Sequence, residues 1–123
     1  MILFSDDDIA MLASHLVGQF IRSVSLATHG FTLEVDDIVV DGKERVFASI
    51  NGERYEWDEA PNAGPWGLLV GQTINGLSVP DPNRLRIELA SGDYVELETV
   101  QSRFESVAVQ LPSDDGQLVM AFW

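Results

Sequence analysis

Four glutamates are the residues whose type and spacing could do chemistry. Glu34 and Glu88 hold equivalent places in two similar stretches, and Glu96 and Glu98 alternate along one strand-like segment and so share a face. Two carboxylates across a groove can divide the work of general acid and base, or bind Ca2+. The same residues also read as an outward strand face laced with Arg84 and Arg86. That account needs no pocket, whereas catalysis does. The expectation is a non-enzymatic chain without catalytic residues.

Other reactive groups are sparse. His15 and His29 are the only histidines, with no partner histidine at metal-ligand spacing. There is no cysteine, which excludes disulfides and thiolate sites. Asp6-Asp7-Asp8 looks like a metal cluster, but successive helical residues point about 100° apart, so capping is the better reading. No serine lies in a G-x-S-x-G elbow, and neither a P-loop nor a G-x-G-x-x-G occurs. Ser113-Asp114-Asp115-Gly116 is too short for a calcium loop and reads as a turn. No cofactor and no metal are expected.

Charge says more. Twenty acidic residues against seven basic ones give a net charge of −13. Nucleic acid and anionic membrane, which want a basic face, are disfavoured. A basic protein or a cation fits, and acidity can also serve solubility alone. No run approaches the roughly 20 apolar residues of a membrane span. The first residues lack the basic and apolar regions of a signal peptide, so a cytoplasmic setting is the expectation.

The elements that must position these residues appear twice. Leu16-Val17-Gly18-Gln19-Phe20-Ile21 returns 53 positions later as Leu69-Val70-Gly71-Gln72-Thr73-Ile74. Six of eleven positions are identical across 16–26 and 69–79. After a one-residue insertion, Phe31–Val35 lies over Leu85–Leu89, which aligns Glu34 with Glu88. The reading is one domain over 1–123, with a first β repeat at about 16–58, a linker at 59–67 and a second repeat at about 68–123.

Residues 4–16 predict a helix, with Ser5 as N-cap, Asp8 at the capping-box position and an apolar stripe through Ile9, Leu12, Ala13 and Leu16. From Gln19 the period becomes two. Strands are predicted over Phe20–Leu26 and Phe31–Val35, joined at Ala27-Thr28-His29-Gly30. Asp36–Lys43 reads either as a short buried strand or as a bulged edge, with Asp41-Gly42 a turn signal.

Asn51-Gly52 marks a hairpin that pairs Ala48 with Tyr55 and Val46 with Trp57. Trp66, inside the Pro/Gly linker, is either a plug onto the domain or an exposed recognition residue. In the second repeat, Gly71–Val79 turns at Pro80–Asn83 into Arg84–Leu89. A three-residue loop, Ala90-Ser91-Gly92, then sets Ile87 against Val95, Leu85 against Leu97, Arg86 against Glu96 and Arg84 against Glu98. Arg103–Leu111 and Gln117–Trp123 form a last hairpin, with Leu111 facing Leu118, Val109 facing Met120 and Val107 facing Phe122. Both faces of that ribbon are fairly apolar, so it needs cover, inside the domain or in a homodimer.

The duplicated Gly18-Gln19-Phe20-Ile21 and Gly71-Gln72-Thr73-Ile74, the strand–Ser91-Gly92–strand unit and Arg103-Phe104-Glu105-Ser106 together resemble a family of small, internally duplicated, β-rich bacterial proteins. The resemblance covers most of the chain after Ser14 and carries over no catalytic residue. Related small acidic bacterial proteins are often suspected to be immunity proteins that neutralise a toxin.

The expected fold is mainly β with one N-terminal helix, its two antiparallel β units related by a pseudo-twofold in a sandwich or open barrel. The expected function is binding of a basic protein such as a toxin, through a surface including Glu34, Glu88, Glu96, Glu98 and Trp66. The alternative is a homo-oligomeric structural or accessory module with Trp123, Trp57 or Trp66 at its interface.

Overall fold

A computed structural model describes residues 4–27, 30–57, 65–99, 106–112 and 118–122. Residues 1–3, the turn residues Thr28 and His29, linker residues 58–64, the stretch 100–105, the last turn at 113–117 and Trp123 lie outside it.

The helix forms as its capping signals require. In α1 (Asp6–Leu16), the Asp8 N–H donates to Ser5 Oγ at 3.1 Å and the Ser5 N–H donates to the Asp8 carboxylate at 2.9 Å. Leu12 and Leu16 are buried, with Ile9 packed against the same core. The three aspartates sit in the first turn, at the positive end of the helix dipole.

Ten strands follow: β1 (Ile21–Ala27), β2 (Gly30–Val35), β3 (Ile38–Gly42), β4 (Val46–Ile50), β5 (Glu53–Trp57), β6 (Ile74–Asp81), β7 (Arg84–Leu89), β8 (Tyr94–Glu98), β9 (Val107–Pro112) and β10 (Leu118–Phe122). They make two antiparallel five-stranded sheets, β1-β2-β3-β9-β10 and β6-β7-β8-β4-β5, which sandwich one core without closing into a barrel. Replacing each strand of the first half by its counterpart in the second converts one order into the other. Each half therefore gives three strands to one sheet and sends its last hairpin to the other. The two halves correspond strand for strand in topology, and they are interlocked.

The repeat motif lies at the centre of this arrangement. The Gly18 N–H donates to Ile74 O at 2.9 Å and the Gly71 N–H to Ile21 O at 2.7 Å; the Ile21 N–H donates to Gln72 O at 3.0 Å and the Ile74 N–H to Gln19 O at 2.7 Å. Each bond has its mirror under exchange of halves, and Phe20 bridges Thr73, its own counterpart. The pseudo-twofold axis passes through that pair. A 3-10 turn at Trp66–Leu69 stands where the last turn of α1 stands in the first half, so the Pro/Gly linker ends in a short helical element after all. Val17 and Val70 cap these turns with nearly the same backbone angles, ψ 130° and 132°. Gly18 and Gly71 follow at φ +91° and +87°, a conformation that favours glycine.

Asp36–Lys43 resolves as a buried strand: β3 lies between β2 and β9, and Asp41-Gly42 belongs to it instead of forming a turn. The turn is Asp36-Asp37, with Asp36 at φ 54°. Gly42 is needed for space, because a Cβ there would lie 2.8 Å from Val46 Cγ2 and 2.9 Å from Leu97 Cδ2. At this point the chain leaves one sheet for the other and its backbone presses on the opposite core.

Two hairpins show the expected registers, Val46 with Trp57 and Ala48 with Tyr55, and Ile87 with Val95 and Leu85 with Leu97. The last hairpin differs by one residue: Leu111 pairs with Val119, Val109 with Ala121 and Ala108 with Phe122. Register is fixed by pattern only where one face is wet. Residues 107, 108 and 109 are all buried, so the pattern along β9 expresses no preference. Within the core Phe31 meets Trp66 at 5.5 Å and Trp57 at 6.5 Å between ring centres, both tilted, and Trp57 donates to Ala27 O at 3.2 Å.

Candidate functional site

The outer face of the second sheet gathers five of the six ion pairs among the described residues. Its registers lay out one row as Glu56, Phe47, Glu96, Arg86 and Ser78, and the next as Arg54, Ser49, Tyr94 and Glu88. Phe47 points outward yet is only 5% exposed. The guanidinium groups of Arg54, Arg45 and Arg84 stand 4.3, 5.0 and 5.5 Å from its ring centre, and Arg86 stands 4.2 Å from that of Tyr94. Such stacking pairs cation with ring quadrupole and covers the apolar ring with alkyl stems.

The carboxylates hold those arginines in place. Glu96 is fully buried; its Oε2 accepts from Arg86 Nε at 2.9 Å and lies 2.8 Å from Arg86 Nη2, and its Oε1 lies 3.3 Å from Arg54 Nη2. The Arg54 contact is an ion pair whose geometry falls short of a hydrogen bond. Arg84 pairs with Glu98 at 3.1 Å and reaches Asp81 at 3.6 Å, while Arg45 takes Glu56 at 3.0 Å. The two expected pairs, Arg86–Glu96 and Arg84–Glu98, are therefore present, but inside a lattice that excludes water from Glu96.

Beside this lattice runs a cleft of about 480 Å3, lined by Asn75, Arg86, Glu88, Asp93 and Tyr94 among others. A β-bulge in β6 falls at Asn75, and an equivalent one in β1 falls at Arg22, which pairs with Asp36 at 3.6 Å. Glu88 accepts from Ser78 Oγ at 2.7 Å. Asp93 is a clamp: it accepts from the Asn51 N–H at 3.0 Å and from Gln72 Nε2 at 2.9 Å, with Ser91 closing the ring onto Gln72. It thereby ties two hairpin loops to the second repeat motif.

The five residues expected to form a partner surface are dispersed. Glu34 is exposed, Glu88 is half-buried in the cleft wall, and Glu98 is held by Arg84. Glu96 and Trp66 lie in the interior, at 0% and 2% exposure, and this conformation presents neither to a partner. Trp66 is the plug, and Trp57, considered for an oligomer interface, is equally buried. Sequence reasoning missed Phe47, Arg54 and Tyr94. The available signal was an aromatic at an outward position of β4, between the inward Val46 and Ala48, which must be covered by something. Glu53 at the edge accepts from the Tyr55 hydroxyl at 2.8 Å, and this bond pushes the phenol above its ordinary value of 10.0.

The cleft brings together the carboxylates of Glu88 and Asp93, the Asn75 amide and the Tyr94 phenol beside the Arg86 guanidinium. Among the described residues no three His, Asp or Glu come together as metal ligands, and no helix there is long and apolar enough to cross a membrane. No protein-family model, curated protein or solved structure matches this chain.

Proposed function

We propose that this chain is a non-enzymatic binding protein that holds a basic protein against its acidic surface, with toxin neutralisation as the specific form. One observation carries the reading. All five described arginines, Arg22, Arg45, Arg54, Arg84 and Arg86, lie within 4.0 Å of a carboxylate of the same chain. These five guanidinium groups are engaged internally, on a chain whose net charge is −13. Exposed Glu34 and the cleft carboxylate Glu88 supply contact points in equivalent places of the two halves. An acidic surface of this kind speeds encounter with a basic partner and makes binding fall steeply with salt. Affinity capture with the full chain from its source cell should recover a basic protein at low salt and release it at high salt. Recovery of none at low salt removes the proposal.

A further inference from the structure

The two halves of the chain furnish one equivalent corner differently. Ile21 faces Val35 and Ser23 faces Glu34, just as Ile74 faces Leu89 and Gly76 faces Glu88. Arg22, the bulged residue of β1, is therefore the counterpart of Asn75, the bulged residue of β6. In the first half that residue is a cation, and its guanidinium lies 3.6 Å from Asp36 in the turn after β2. In the second half it is a neutral amide, and it lines the open cleft of about 480 Å3 together with Glu88 and Asp93.

The acids of the cleft have no cation of their own. Among the described residues, neither Glu88 nor Asp93 has a cationic nitrogen within 4.0 Å. Both Asp93 oxygens are engaged, by the Asn51 N–H and by Gln72 Nε2, so Asp93 contributes only its charge. Glu88 is different. Its Oε1 accepts from Ser78, while Oε2 receives no hydrogen bond among the described residues. Gly76 faces Glu88 across the ladder and leaves that oxygen uncovered, since a Cβ there would lie 3.6 Å from Oε2. Arg86 also lines the cleft, but its guanidinium is bonded to buried Glu96 and lies over the Tyr94 ring. Its charge is already answered.

We infer that the cleft receives the guanidinium tip of a partner's arginine, in the place that Arg22 fills from within the chain in the first half. This rests on the basic partner proposed above and names where that partner enters. A guanidinium is a planar fork of donors, which suits an uncovered carboxylate oxygen with neutral acceptors on Asn75 and Tyr94 beside it. A pair formed against the cleft walls is also stronger than one in open water.

NMR titration of the full chain with N-acetylargininamide, which carries one guanidinium and no other charge, tests this. Saturable shifts at the backbone amides of Asn75, Glu88, Ala90 and Tyr94 are expected, and the uncharged citrulline analogue should produce none. Glu88→Gln should weaken binding by about tenfold. Asn75→Arg, which gives the second half the cation of the first, should abolish it. Asp37→Asn removes one charge from an exposed turn and should leave it unchanged. The amide spectrum checks that each variant is folded, and should Asn75→Arg fail to fold, Glu88→Gln carries the same readout. No saturable shift, equal shifts from the citrulline analogue, or wild-type affinity in folded Glu88→Gln overturns the inference. A folded Asn75→Arg chain that captures a basic protein as well as wild type does overturns it too, and leaves the proposed function standing. Probe seated in the cleft with no basic protein recovered at low salt supports the guanidinium site and removes the neutralisation reading instead.

Discussion

Phe20 pairs across a β-bridge with Thr73, the residue that occupies its own position in the other half of the chain. A residue can face its own counterpart only on a twofold axis. That single pair turns a sequence repeat into a symmetry of the fold. Four flanking hydrogen bonds between Gly18, Gln19 and Ile21 and Gly71, Gln72 and Ile74 obey the same axis.

Gly18 and Gly71 should respond alike to alanine. Each has positive φ, and an added Cβ at either meets nothing within 4 Å, so the cost is backbone strain alone. About 1–2 kcal/mol is expected for each, measured by urea unfolding. Widely different costs would show that the two surroundings are not equivalent.

Arg86→Met should destabilise strongly, because it leaves Glu96 buried with only the weaker Arg54 contact. Breaking a buried pair from one side costs about 3–5 kcal/mol. The double variant Arg86→Met with Glu96→Leu should recover much of that loss. A double-mutant cycle from denaturant unfolding reads the coupling, and near-zero coupling would refute the role given to the pair.

Gly42→Ala tests the crossing between sheets. Its methyl would overlap Val46 Cγ2 and Leu97 Cδ2, and overpacking of this kind costs about 1–3 kcal/mol. Leu97→Ala in the same chain frees part of the space, so the two changes together should cost less than their sum. Strict additivity would mean that the clash is not there.

Tyr55 supplies a pH prediction. Its folded value is raised, chiefly by donation to Glu53 and then by burial and the Glu53 charge. The stabilising contribution is complete below the unfolded value near 10 and is lost as pH rises through the folded one. The difference in tyrosinate absorbance between wild type and Tyr55→Phe should titrate above 10 when folded and fall back to about 10 in denaturant. The same midpoint in both conditions would remove the hydrogen bond from the account.

Much of the local structure was legible because short-range chemistry dictates it. Ser5 and Asp8 cap α1, Asn51-Gly52 and Gly92 set their hairpins, and Arg84 and Arg86 find Glu98 and Glu96. The candidate site was half legible. Its charge pairs follow from register, but the burial of Glu96 under Arg54 and Arg86 and the covering of Phe47 by three arginines depend on strands β4, β5, β7 and β8 meeting in one sheet. The last hairpin was misregistered by one residue because β9 is buried on both faces and its alternation carries no direction.

By itself the sequence determined the capped helix, the likeness of 16–26 to 69–79, the turns that set two hairpin registers, and the excess of acid. Those properties reside in neighbours along the chain and in totals over it. Only the tertiary structure decided that each half lends its final hairpin to the other sheet and that the two Gly-Gln motifs bond to each other. It also decided that Trp66 and Glu96 lie inside while Phe20 and Leu68 lie outside. Apolar patterning tells a residue to leave water but not which sheet will cover it, and that choice is made by contacts between segments far apart in the chain.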